Sequence, residues 1–427
     1  MTSTAVPISS GARLRAFTLA RRPRYIPAII AWFAFAVLVP IDRYVLQDST
    51  TSALVWRAML AALVLSVLGG RAAKPAFPAV WLSALFLIPL AGYISGHQSS
   101  IPQSVTVGVQ LALLCGLAPF VFKFYVERSP HFAAIVLGGF LASQTFSACV
   151  GLLQLPGNEV FGAVTIFGRS TGLAGHPNVL GIMSALAIFV SLAAWRALPT
   201  RLRWVPIVTL ILNGVTLVST GSLSSMLAVA VGLAVYFVGR RKVVATFVAG
   251  VLGIVSVWVF TLATGLDGAA LLAPVQTRVG VVLGTSEIEG GAASLDTRLL
   301  TYDWAWKYLT IDPIAGVGLD PMNAGTYNGY TPVHNHILHA WYQGGLLFVL
   351  WMVAVTVVLL ILVARSIARQ QSVVAAAATI AMLAFASTSA FFDQQQYWLP
   401  LLFAVALIGE PAPRLKQSMG AGLRESP

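Results

Sequence analysis

The chain has 427 residues, of which 58% are apolar and only 9% charged, and its formal net charge is +12. Soluble globular domains carry about 25% charged residues, so this composition excludes an ordinary water-soluble fold and fits a chain that crosses lipid repeatedly. The basic residues sit in short clusters between apolar runs, with no basic stripe and interleaved aromatics, which argues against nucleic acid as a partner. Cys115 and Cys149 lie inside apolar runs without metal-ligand or disulfide spacing and read as small packing residues.

Taken in order, residues 1–25 form a basic segment with Arg13, Arg15, Arg21, Arg22 and Arg24. The apolar run from Ile26 to Pro40 follows. No small-residue cleavage site comes after it, so it reads as an uncleaved first helix rather than a signal peptide. Further spans are expected near 52–70, 78–95, 105–125, 131–155, 177–195, 204–220, 222–239, 243–265, 336–364, 373–391 and 395–411. The expectation is thus an all-α polytopic membrane protein of about twelve transmembrane helices: a cytoplasmic N-terminus (1–25), helices one to nine (26–265), a large loop (266–335), helices ten to twelve (336–411) and a cytoplasmic tail (412–427).

Orientation follows from the loops. With the N-terminus in the cytoplasm, only Arg43, Arg57, Arg169, Arg278, Arg298 and Lys307 fall on the far side, as the positive-inside rule demands. The two long far-side segments, 155–177 and 265–335, exceed the length of simple connections and are expected to carry function. The second is net acidic, so its few cations read as specific. Its amphipathic stretch TRLLTYDWAWKYL is expected to form a short helix at the outer leaflet.

Several groups there suit anion or proton chemistry. Arg169, in FGRSTGLAGHPN, offers a planar cation to a phosphate, against the plainer reading of an arginine reaching for lipid headgroups. His176 enters the next helix and reads as a structural residue. Ser219-Thr220-Gly221-Ser222 makes a tight hairpin whose hydroxyls satisfy helix ends. Arg278 is a weaker second cation. Arg298 follows Ser294 and Asp296, which read as helix caps, while Trp304 and Trp306 read as interfacial anchors. His334, His336 and His339 straddle the entry to a long apolar helix. No Glu sits beside them as in H-E-x-x-H, so no metal is expected, and His334 is the candidate proton acceptor. Asp393 with Gln394, Gln395 and Gln396 is a further polar turn, read as solvated or sugar-contacting.

Four of these stretches together resemble the O-antigen ligase and O-antigen polymerase superfamily. FGRSTGLAGHPN is similar to its arginine-glycine passage ending in His-Pro-Asn, and STGS to a turn that usually reads Ser-Arg. TRLLTYDWAWKYLTIDPIAGVGLD is similar to its Arg…Trp, Pro, Gly-x-Gly passage, and VHNHILHAWYQGGLLF to its His-Asn signature. The resemblance implies a type-C-like, inverting glycosyltransferase of the bacterial inner membrane with a periplasmic active face and no cofactor. The donor would be a glycan on polyprenyl diphosphate, and the acceptor a lipid A core or another glycan. It makes Arg298 and His334 catalytic, and Arg169, Arg298 and Arg278 the diphosphate contacts. Leu223 stands where the family commonly has arginine. A polymerase joining lipid-linked repeat units is the alternative within the class. A polysaccharide flippase is the alternative outside it, weakened by the near absence of charge inside the spans.

Overall fold

The computed structural model describes residues 25–39, 49–67, 73–129, 131–240, 272–276, 279–280, 292–319, 331–391 and 395–408. The main helices among them are α1 (Tyr25–Phe33, continued by a wider turn over Ala34–Leu38), α2 (Ser49–Val67), α3 (Pro78–Gly96), α4 (Ile101–Arg128), α5 (Phe132–Leu153) and α6 (Pro177–Ala197). They continue with α7 (Trp204–Ser219), α8 (Leu223–Arg240), α9 (Ala292–Ile311), α10 (His336–Arg369), α11 (Val373–Ala386) and α12 (Gln395–Leu407). Every predicted span except 243–265, which lies outside the described residues, falls on one of these helices. Seven helices among the described residues are long and apolar enough to cross a membrane.

Short turns between apolar runs force neighbours antiparallel. The most extensive pairings are α3 with α4, α8 with α11, α6 with α7 and α3 with α10. Trp81, Phe132, Phe140, Phe189, Phe348, Trp351, Phe385, Trp398 and Phe403 fill the centre and are almost wholly buried. Many other large apolar side chains, such as Phe86, Leu227 and Leu350, point outward. Outward apolar side chains are what hydrocarbon, unlike water, accepts without penalty. Polar side chains link helices inside the bundle: Gln144 of α5 donates to Ser184 Oγ of α6 at 3.0 Å and to Asn213 Oδ1 of α7 at 3.3 Å.

The bundle has two chemically different ends. One gathers Lys123, Arg128, Arg196, Arg201, Arg203, Arg240, Arg365 and Arg369 at helix termini and turns, with the guanidinium groups of Arg196 and Arg240 over the Tyr236 ring and that of Arg365 over Phe77. The opposite end carries the turns 96–101, 153–177, 219–223 and 331–335.

The predicted span at 336–364 is amended by the structure. α10 breaks at Gly345, which has φ +66° and ψ −165°, into limbs 336–344 and 346–369. His336 Nε2 lies 3.3 Å from Thr356 Oγ1, although twenty residues of straight helix would separate them by about 30 Å. The first limb therefore folds back along the second, inside the bundle. The segment Pro313 to Gly318 fills the break: Val317 N donates to Tyr342 O, Gly318 N to Gln343 O and Leu346 N to Ile314 O, at 3.0, 2.9 and 3.0 Å. These bonds satisfy carbonyls and an amide that the break would otherwise leave unpaired. A Cβ at Gly345 would meet Ile314 O at 2.1 Å, and one at Gly316 would meet Gly345 N at 2.5 Å, so both positions need glycine for close backbone approach.

Candidate active site

The candidate site lies at the turn-rich end, where α7 and α11 stop. α11 has 14 residues and extends only about 21 Å, less than the ~30 Å hydrocarbon core of a bilayer. The segments 169–178, 219–225 and 331–336 lie at this end.

Arg169 fastens the first two of these together. Its Nε donates to Thr220 O at 2.6 Å and its Nη2 to Asn178 Oδ1 at 2.9 Å, and the guanidinium is buried. The next residue, Ser170, donates its N–H to Ser219 O at 3.2 Å. This excludes the reading of Arg169 as an arginine extended toward lipid headgroups. His176 caps α6, its Nδ1 accepting from Asn178 N at 3.2 Å, as the helix-entry reading expected, with Pro177 in the first turn. The serine turn is a tight hairpin between α7 and α8, and Pro274 of the short segment 272–276 rests against Gly221.

The third segment comes from α9 and α10. α9 buries Thr301, Ala305 and Leu309 and lays Tyr302, Tyr308 and Trp304 against the first limb of α10 around Tyr342. Trp304 is therefore a packing residue here, whereas Trp306 is exposed and meets only the edge of Trp341. α9 is already helical at Ala292, so Ser294 and Asp296 lie within it and are not its caps. Arg298, in the second turn, reaches across to α8, with Nη1 3.4 Å from Ser224 Oγ. Tyr302, four residues on and hence on the same face, donates its hydroxyl to His334 O at 2.7 Å. Asn335 caps α10, accepting from Ile337 N and Leu338 N, and donates to Ser387 O at the end of α11 at 3.2 Å.

His334 is thus held between α9, α10 and α11, facing the arginine. Burial, then the positive charge of Arg298, depress its pKa to about 4, with a smaller push from His176 and an opposing pull from the Pro332 carbonyl. The imidazole is neutral at neutral pH and can accept a proton. Burial raises the Tyr302 phenol and Arg298 moderates the effect, so the hydroxyl stays protonated and able to donate. Among the described residues, no three His, Cys, Asp or Glu side chains converge as a metal site would require.

Residues 208–352 match the family model described as O-antigen ligase. This region of the chain is similar to the O-antigen ligase family. No curated protein matches it. The O-antigen ligase match runs from within α7 into the second limb of α10, and so contains the serine turn, Arg298 and His334, while Arg169 and His176 lie before it. Of the residues expected from the sequence, Arg298 and His334 come together and Arg169 joins them through Asn178 and His176. Arg278, Asp393 and Gln394 lie outside the described residues. His336 and His339 are buried in the folded-back limb, away from solvent.

Two contributors to this candidate site carry no reading in the sequence analysis above. Ser224 was passed over because the family's arginine is expected one residue earlier, at Leu223. Tyr302 carried a usable signal, its four-residue spacing from Arg298.

Proposed function

We propose that this chain belongs to the O-antigen ligase superfamily and is an inverting glycosyltransferase of the bacterial inner membrane, working on its periplasmic face. It would move a glycan from polyprenyl diphosphate to a lipid A core or a similar acceptor. The observation that carries this reading is the proximity of half-buried Arg298 to His334, close enough for the arginine's charge to help keep the imidazole neutral. The distribution of basic residues, nearly all at the opposite end, supports the periplasmic assignment.

The chemistry follows from charge. The acceptor hydroxyl oxygen attacks the anomeric carbon, the bond from that carbon to the phosphate oxygen breaks, and its electron pair leaves with the diphosphate. Attack from the face opposite the leaving group inverts the centre. Arg298 is positioned to stabilise the charge that develops on the diphosphate. His334 takes the acceptor's proton. A base with a pKa of about 4 is weak, but a bound diphosphate offsets the charge of Arg298 and favours imidazolium, so donor binding would raise the basicity of His334 when it is needed. Arg169, with Nε and Nη2 engaged by the protein, would hold the serine turn and His176 in place and contribute its charge to the same pocket. Leu223, in the place of the family's usual arginine, leaves Arg298 beside Ser224 with a larger share of that task.

The test is product formation by purified protein in detergent, from a polyprenyl-diphosphate glycan and an acceptor. Transfer by the wild type, and none by Arg298→Ala or His334→Ala at equal folded yield, is expected. Normal product from both variants would overturn the site, and a wild type that forms no product in detergent but carries the lipid-linked glycan across the membrane of proteoliposomes would be a flippase. A deletion strain separates the two transfers: unattached lipid-linked polymer identifies a ligase, and single repeat units identify a polymerase.

A further inference from the structure

The segment between α5 and Arg169 contains a repeated device. Val160-Phe161-Gly162-Ala163 and Ile166-Phe167-Gly168-Arg169 are both two-residue turns closed by a pair of reciprocal backbone hydrogen bonds, all at 3.0 Å. In each, the phenylalanine and the glycine both have positive φ: +53° and +74° in the first, +50° and +68° in the second. Such turns ordinarily carry Asn, Asp or Gly at the first position, because a β-carbon with a bulky ring is strained there. Each strained phenylalanine is also exposed, Phe161 at 67% and Phe167 at 82%, with Val164 exposed between them. A strained residue that also presents its ring to water makes no sense as a folding device and points to a function for the ring.

The position of the first tip says what surrounds it. The ring of Phe161 lies 6.0 Å from that of Phe146 on α5. Phe146 is seven residues, about 10 Å, before the end of that helix at Leu153. The chain leaving α5 therefore turns back and descends along its outer side by about two turns. α5 is one of the helices long and apolar enough to cross a membrane. Phe146 and Leu153, spaced seven apart on one stripe of it, both face outward. The apolar tips thus continue a lipid-facing surface.

We infer that residues 156–169 form a double-tipped finger that dips into the bilayer beside α5, with Phe161 and Phe167 among the lipid acyl chains at their boundary with the headgroups. The reciprocal bonds and the bond from Thr171 Oγ1 to Val164 O, at 2.9 Å, satisfy backbone groups that lipid cannot. The exposed Asn158 and Glu159 at the neck keep it from going deeper. Because Arg169 closes the second turn and is bonded to Thr220 and Asn178, the finger also ties the depth of the site to the level of the lipid.

The test uses the full chain in lipid nanodiscs, with spin labels at Phe161→Cys, Phe167→Cys or Asn158→Cys in a Cys115→Ala, Cys149→Ala background. Collisions with oxygen, which concentrates in hydrocarbon, are expected to exceed those with a water-soluble nickel chelate at 161 and 167, with the reverse at 158. Nickel-dominated collisions at 161 and 167 would overturn the inference. So would immobilisation of the 167 label only on adding undecaprenyl phosphate, which would mark a polyprenyl site instead of a bilayer contact. Phe161→Asn with Phe167→Asn, whose residues suit these turns, gives a folded control: it is expected to keep its melting temperature in detergent and lose the stabilisation that nanodiscs confer on the wild type. Equal nanodisc stabilisation of both would count against the finger. None of these readouts depends on glycosyl transfer.

Discussion

Tyr302 donates its hydroxyl to the main-chain carbonyl of His334 at 2.7 Å, and so couples the helix that carries the arginine to the segment that carries the histidine. Arg298 and Tyr302 are four residues apart on α9. One helix face therefore supplies both the arginine and the support for the His334 segment.

Removing this bond is expected to loosen the histidine without abolishing it. Tyr302→Phe should lose about 1 kcal/mol of stability, and lower kcat more than it raises KM, because the donor's cation stays in place. Steady-state kinetics on purified protein check this. An unchanged kcat would show that the bond is not needed to place His334.

The pH dependence follows from the environment of His334. Its pKa is lowered from 6.5 to about 4 by burial first and Arg298 second, so the free enzyme's kcat/KM should fall on the acid side only as pH approaches about 4. Arg298→Gln removes a like charge, and its residual acid limb should move up toward 6.5. The same shift makes stability fall as pH drops from about 6.5 to about 4, where the unfolded chain binds a proton that the folded one refuses. Below that it levels off. The total is at most about 3 kcal/mol, and it should be missing from the melting curve of His334→Asn.

Arg169→Lys keeps the charge but cannot reach Thr220 O and Asn178 Oδ1 together in one plane. Each bond to a charged donor is worth about 1.5–3 kcal/mol, so a drop of about that size in unfolding free energy is expected, with transfer activity reduced alongside. A variant with wild-type stability and no activity would instead make Arg169 a direct contact to the donor.

Gly345→Ala places a β-carbon 2.1 Å from Ile314 O at a positive φ, with no side chain available to yield. Its loss of stability should exceed the ~1 kcal/mol typical of point substitutions, and the folded fraction should lose activity because the limb carrying Asn335 and His336 shifts. Thermal unfolding in nanodiscs measures the first and transfer rate the second.

The helical, membrane-embedded character of this protein could be read from its residues, since apolar runs and the basic turns between them are local properties. Arg298 and His334 could also be named, because few polar groups occur on their side of the chain. Other features are contacts between residues far apart in sequence, and no local pattern encodes them. Arg169 bonds Thr220 across fifty-one positions, and Arg298 meets Ser224 across seventy-four. The fold-back at Gly345 is stable only because residues 314–318 fill the gap with their own backbone bonds, so a run that reads as one helix becomes two. Sequence thus determined that this chain lives in lipid and which groups it has for chemistry. Only the packing of the helices decided that the charge of Arg298 reaches His334, because proximity depends on where each helix stops against its neighbours.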